Sequence, residues 1–362
     1  MRDEVGSFFE EDRNSGQESR WLEELMGRRN VLYTSSGREA IELAILETER
    51  LCPNVRKVCL LPQYTCDTVI RPFQKRGWEL YFYPMNEQLS VCETDFSELL
   101  ERIKPQVLLM HTYFGRDTIR KVRKLIAYWQ KKKGLIFIED MTQSLGLLPK
   151  VRGADYYVGS LRKWFAIPDG GFLIGENLPH TAQLPEKTVF VEKKRMAQHL
   201  KAEYLNETSD ISKTEFLRIN AEAERCLEQD DTICRMSQLS LRSLHRMDGE
   251  RQLLQRQRNG RVLSECMKAC RMIRPLGETG ERIPLYIPIL AENRDALQRF
   301  LQERDIFAPV LWEIPQALGT SLAAEVQYVF DHMLALPCDQ RYTEQDMVRV
   351  GEALVSYENY NR

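Results

Sequence analysis

The chain has 362 residues, 43% apolar and 29% charged, with a formal net charge of −2. That length exceeds what one hydrophobic core serves and predicts a large domain plus a smaller one. The near-neutral charge excludes a bulk electrostatic case for nucleic acid or an anionic membrane as partner. No apolar run approaches the roughly 18 residues that a membrane helix needs. The acidic opening MRDEVGSFFEEDRNSGQESRW does not read as a signal peptide. Nine cysteines without a C-x-x-C pair fit reduced thiols and a cytoplasmic protein, and five scattered histidines show no zinc-ligand spacing.

Taken in chain order, residues 30–174 alternate strand and helix. GREAIELAILETERL carries a helical apolar period opened by Ser35-Ser36-Gly37. KVCLLP reads as a buried strand, DTVIRPFQKRG as a helix stopped by Gly77, and WELYFYP as a strand. DFSELLERI is helical, QVLLMHTYF a strand, DTIRKVRKLIAYWQKKKG a helix and LIFIED a strand. This rhythm predicts an α/β fold with a mostly parallel sheet flanked by helices. Residues 183–270, rich in Glu, Lys, Arg, Gln and Leu, predict long amphipathic helices, clearest in ISKTEFLRINAEAERCLEQ and SLRSLHRMDGERQLLQRQRNGRVLSECMKA. Beyond Arg274 the strands IPLYIPIL and FAPVLW surround the helix NRDALQRFLQERD, and a last helix follows YTEQD, a smaller α/β unit.

The segment ADYYVGSLRKWFAIPDGGFLI places Lys163 between Leu161 and Trp164-Phe165, so apolar a setting that a buried lysine is expected there. Such burial requires pairing or loss of charge. Three neighbours in the pattern are chemically pointed. Asp140 sits at the C-terminal end of an apolar strand, where ligands bind in α/β sheets. Ser160 stands three residues before the lysine. Ser36-Gly37-Arg38 opens a helix, whose free N–H groups form an anion site. Each taken singly is ordinary: a helix cap, a strand-end N-cap, a surface Ser-x-x-Lys. Together they supply a phosphate cradle, a carboxylate and an amine, which is what pyridoxal phosphate requires.

The order of these motifs resembles the fold-type-I pyridoxal-phosphate enzymes, specifically the DegT/DnrJ/EryC1/StrS family of sugar aminotransferases. The likeness spans GSFFE, SSGREAI, LPQYTCDTVI, HTYFG, IEDMTQSLG, SLRKWFAIPDGG, RMSQLSLRSL and LPCDQRY, nearly the whole chain. The implied division is an N-terminal segment packing on the small domain (1–25) and a large cofactor-binding domain (26–200). A helical connection (201–270) and a small C-terminal domain (271–362) complete it.

The resemblance implies that Lys163 forms the Schiff base with the cofactor and, once released, shuttles the substrate proton. Asp140 would pair with the pyridine nitrogen, Gln143 with the 3′-oxygen, and Tyr64 and His111 would flank the ring. Ser36, Gly37, Arg38 and Ser160 would face the phosphate. An amino acid such as glutamate would be the donor, with pyridoxamine phosphate between the half-reactions. A nucleotide-linked keto-sugar for surface polysaccharide would be the acceptor, and a homodimer the assembly. Two departures stand out: Cys66 replaces the usual stacking aromatic, and Ile233 an asparagine that reaches the partner's phosphate, so that either Arg235 or Asn259 substitutes or the phosphate is held within one subunit. Because Lys163 is present, transamination is expected over the dehydrase chemistry of the branch that carries histidine there. A non-sugar substrate and a non-catalytic binding protein are the competing readings. Trp312 lines a substrate pocket on this resemblance; in isolation it reads equally as a core tryptophan.

Overall fold

Alternating strand and helix patterns fold into three sheets. The computed structural model describes residues 4–12, 16–54, 56–176, 178–179, 184–277, 282–319 and 322–360. The chain opens with β1 (Val5–Gly6) and α1 (Trp21–Leu25). The large unit continues with β2 (Val31–Thr34), α2 (Gly37–Leu51), β3 (Val58–Pro62), α3 (Asp67–Lys75), β4 (Glu79–Tyr83) and α4 (Glu93–Ile103). Next come β5 (Val107–His111), α5 (Arg123–Lys133), β6 (Ile136–Asp140), β7 (Tyr156–Ser160) and β8 (Gly171–Gly175). Four helices follow: α6 (Thr188–Asn206), α7 (Lys213–Gln229), α8 (Gln238–Arg246) and α9 (Gly249–Cys266). The remainder is β9 (Arg274–Pro275), β10 (Tyr286–Leu290), α10 (Arg294–Gln302), β11 (Ile306–Phe307), α11 (Ala324–His332), β12 (Met333–Pro337) and α12 (Glu344–Tyr360).

The seven-stranded sheet runs β2-β8-β7-β6-β5-β3-β4. β4, β3, β5, β6 and β7 are parallel, whereas β8 is antiparallel to both β7 and β2. β3, β5 and β7 are buried along their whole length, as strands covered on both faces must be. Alternation splits each strand between two cores. Leu60, Leu108 and Phe137 face α4 and α5, while Leu61, Leu109 and Ile138 face α2 and α3. β12, β10 and β9 form the antiparallel sheet of the smaller unit, packed on α9, α10 and α12.

Two expected elements differ. The stretch 240–269 holds two helices, because Asp248 starts α9 anew by accepting the Arg251 N–H. Of FAPVLW only Phe307 belongs to a strand, as the second residue of β11, so Trp312 lies on a loop.

The N-terminal segment lies on the smaller unit. β1 pairs in parallel with β11, and the Tyr342 hydroxyl accepts the Gly6 N–H at 2.7 Å. Arg341 donates to the Phe8 carbonyl and pairs with Glu10 and Asp339. Lys201 reaches across from α6 to the same Phe8 carbonyl, 2.5 Å away, with its side chain only 1% exposed. Burial, reinforced by the Arg341 charge and opposed by Glu10 and Glu4, pulls the Lys201 ammonium down to about 8 from 10.5. A depressed lysine binds fewer protons folded than unfolded, so its charging opposes folding and that opposition fades as pH rises from about 8 towards 10.5. Urea unfolding at several pH values should therefore show wild type gaining stability relative to Lys201→Met between pH 8 and 10.5. A flat difference across that window would refute this assignment.

Candidate active site

Strand register assembles the site. His111 ends β5 directly opposite Asp140 at the end of β6, and Asp140 is paired in turn with Val158 of β7. Ser160 at the end of β7 opposes Gly171, which opposes Thr34 just ahead of α2. The C-terminal strand ends and the α2 N-terminus thus meet at one cleft, the position α/β folds use for ligands.

The cleft is a cavity of about 140 Å³. Ser36, Gly37, Arg38, His111, Asp140, Gln143, Ser160 and Lys163 all line it. Tyr64 is corrected: it is 1% exposed, with its ring packed among Tyr113, Trp312 and Phe330, and it is absent from the cleft wall. Trp312 takes a place on that wall, 5.9 Å from the His111 ring and tilted by 35°. Cys66 also lines it, its thiol 2.9 Å from the Thr68 hydroxyl.

Lys163 is corrected as well, for its side chain is exposed. It sits on a tight turn in which the Trp164 and Phe165 N–H groups donate to the Leu161 carbonyl. Leu161, Trp164 and Phe165, at helical spacing, point into the core with no exposed surface, so Arg162 and Lys163 are left facing the cleft. The apolar neighbours in sequence are on the other side of the turn. Among the described residues Lys163 has no hydrogen bond or ion pair.

Asp140 is held on both oxygens. Its Oδ2 is 3.2 Å from His111 Nδ1 and its Oδ1 accepts the Thr142 N–H at 2.8 Å. Burial pushes the carboxyl up, but the His111 hydrogen bond and charge and the Thr142 bonds outweigh it and hold it below the usual carboxylate range. The His111 Nε2 lies 2.9 Å from the Thr65 hydroxyl, which fixes the ring from its far side. Thr65, in the motif PQYTC, was not singled out from the sequence. Neither were Arg162, although it adjoins Lys163, and Glu224, whose helix α7 has no sequence proximity to the strands; both are on the cleft wall.

Among the described residues, two side chains that line the cleft carry a buried polar atom without a hydrogen-bond partner, Gln143 Oε1 and Arg38 Nη1. Arg38 spends its other terminal nitrogen on the Leu227 carbonyl at 2.7 Å. Unmade bonds of this kind are costly unless a ligand completes them. Of the two substitutes for the missing asparagine, Asn259 is excluded: it is fully buried and donates to the Asp339 and Tyr342 carbonyls. Arg235 is tied to the Leu184 carbonyl and Glu186, while Ile233 packs on the core beneath α2.

No protein-family model matches the sequence, and no curated protein matches it. Solved structures do match. A DegT DnrJ EryC1 StrS aminotransferase from Brucella abortus superposes with a TM-score of 0.65 at 15% identity, over 93% of this chain and 88% of that one. Helicobacter pylori PseC, an aminotransferase of pseudoaminic acid biosynthesis, gives 0.66 at 14%, over 98% and 99%. S. venezuelae DesV, solved with a ketimine intermediate, gives 0.64 at 14%, over 93% and 87%. The fold is therefore the one these aminotransferases share.

Gly171 supports the cleft from below: a Cβ there would lie 2.3 Å from the Ser36 carbonyl carbon and 2.6 Å from the Gly37 nitrogen. Backbone cannot yield as a side chain can. Gly171→Ala should therefore cost about 1–3 kcal/mol in denaturant unfolding, and an unchanged midpoint would count against this packing.

Proposed function

We propose that the chain is a pyridoxal-phosphate-dependent aminotransferase that moves an amino group from an amino acid, glutamate in the first instance, to the keto group of a nucleotide-linked keto-sugar. The observation that carries this reading is the pair of orphaned atoms, Gln143 Oε1 and Arg38 Nη1, in the cleft that Lys163, Asp140 and the α2 N-terminus share. They are an acceptor and a cation donor without partners, on walls already suited to an aromatic phosphate.

The residues present fit that group. The bound cofactor would supply an electron sink conjugated to the substrate carbon. Lys163 supplies the attaching amine and, once displaced, moves the proton at that carbon. Its exposed place on the turn gives it the freedom to do so. Asp140, kept ionised by His111 and the Thr142 N–H, would hold a proton on the ring nitrogen. Gln143 would meet the ring's hydroxyl oxygen. Ser36, Gly37, Arg38 and Ser160 would hold the phosphate, with Arg38 making up within one subunit for the contact that Ile233 cannot offer. His111 and Trp312 are the rings on the cleft wall; their centroids are too close for a third ring between them, so they would flank the cofactor from one side in place of Tyr64 and Cys66.

The sugar acceptor, its role in polysaccharide synthesis and a homodimeric assembly are supported by the likeness to the sugar aminotransferase structures. A cytoplasmic setting is supported by the nine free cysteines. Among the described residues no helix is long and apolar enough to cross a membrane.

The test is spectroscopic. Purified protein given pyridoxal phosphate should develop a visible absorption band that Lys163→Ala lacks and that glutamate bleaches. Asp140→Asn should keep the band but lose at least 100-fold in bleaching rate, since a neutral amide cannot hold the ring proton. A band that ignores every amino donor would favour a binding protein, and no band at all would end this reading.

A further inference from the structure

Arg162 precedes Lys163 on the turn and lines two cavities at once, the cleft and an adjoining space of about 580 Å³ beneath α6 and α7. Its guanidinium meets Glu224 of α7 fork to fork, Nη1 to Oε1 at 2.9 Å and Nη2 to Oε2 at 3.0 Å. This is the geometry by which arginine recognises a free carboxylate. Lys194 of α6 adds a second cation, 2.7 Å from the same Oε1 and 2.6 Å from Asn220 Oδ1. The Phe190 ring backs Arg162, with its centroid 5.8 Å from the guanidinium carbon.

Charge and burial are both asymmetric here. Arg162, Lys163, Lys194 and Arg256 share the wall of the larger cavity with Glu224. Among the described residues Arg256 makes no ion pair; it donates to the Leu285 and Trp164 carbonyls and leaves Nε unpartnered in a side chain 1% exposed. Asp339 and Arg341, also on that wall, pair with each other. The cations beside Glu224 are fixed and covered, with 19% of the Arg162 and 8% of the Lys194 side chain exposed, against 31% for Glu224. The anion is thus the member nearest to solvent. Its replacement by another carboxylate would leave both cations paired, and the rehydration of Glu224 would offset the desolvation of the incoming group.

We propose that Arg162 and Lys194 form the carboxylate subsite for the amino donor, and that Glu224 occupies it as an internal stand-in until the donor displaces it. The assignment rests on the reading of Lys163 as the cofactor's attachment point. A donor that brings its amino group to Lys163 carries a carboxylate on the adjacent carbon, so its anchor must stand beside that lysine. Arg162 is the next residue in the chain and faces the same cleft.

The experiment uses cofactor-loaded protein and two probes, L-glutamate and the carboxylate-free amine n-propylamine, each followed by its effect on the visible band. Arg162→Gln should raise the glutamate concentration at half-effect at least tenfold and leave propylamine unchanged, with Arg162→Lys in between. Glu224→Gln should lower the glutamate concentration several-fold, because the competitor is gone. A purely structural ion pair predicts the opposite pattern, with both variants losing ground for both probes, and that result would overturn the proposal. A calorimetric titration with glutarate supplies a readout that needs no cofactor: binding should vanish in Arg162→Gln and tighten in Glu224→Gln. Loss of glutarate binding with glutamate unaffected would move the carboxylate to an acidic acceptor and refute the donor assignment. A protein with no visible band but Arg162-dependent glutarate binding would keep the subsite and sink the cofactor reading, whereas a band with no dependence on Arg162 does the reverse.

Discussion

The turn that carries Lys163 is anchored at its centre by Trp164. Its ring is fully buried, its indole N–H donates to the Thr142 carbonyl at 2.7 Å, and its own carbonyl accepts from Arg256 and Gln340. Those partners belong to the Asp140 loop, to α9 and to the segment after β12. A single tryptophan therefore ties the lysine's turn to the strand end that holds the carboxylate and to the smaller unit. The Arg256 guanidinium also lies over the Trp164 ring, 4.8 Å from its centroid, which offsets part of the cost of burying an arginine without an anion. Lys163 can be exposed at its tip because the backbone beneath it is so tightly specified.

Much of this was legible from periodicity. Strands buried on both faces leave continuous apolar runs, and KVCLLP and LIFIED read plainly as strands that became β3 and β6. Glycine at the end of an apolar helix marked α5, where Gly134 adopts the left-handed conformation a C-cap requires. The cleft residues followed from where those elements end, since His111, Asp140 and Ser160 each close a strand. Tyr64 was misplaced for a physical reason: its position one residue before Thr65 looks equivalent to a strand-end ring, but β3 stops at Pro62 and the side chain turns into the aromatic core. Lys163 was misjudged because linear neighbours were taken for spatial ones, and a turn of helical spacing sends them apart.

The residues that sequence could not supply are those whose partners are far away in the chain. Glu224 meets Arg162 across 62 positions and Arg38 meets Leu227 across 189. No periodicity encodes such a meeting; α7 is amphipathic whether or not its polar face closes a cleft. Only the docking of the α6–α7 hairpin over the strand ends turns a charged helix face into part of the cleft wall.

Glu139 and Asp140 show how far elementary geometry carries once the fold is known. They are consecutive carboxylic acids and both buried, yet strand alternation sends them to opposite faces of β6. Glu139 goes beneath the sheet, where Arg123 grips both its oxygens while also holding Asp117. Burial raises its carboxyl against that pairing, and the net shift is upward. Asp140 goes to the cleft, where His111 and an amide N–H draw its carboxyl the other way. One carboxylate is spent on holding α5 to the sheet and the other is kept ionised at the open end of the strand. The difference in their duties comes from a single residue of register.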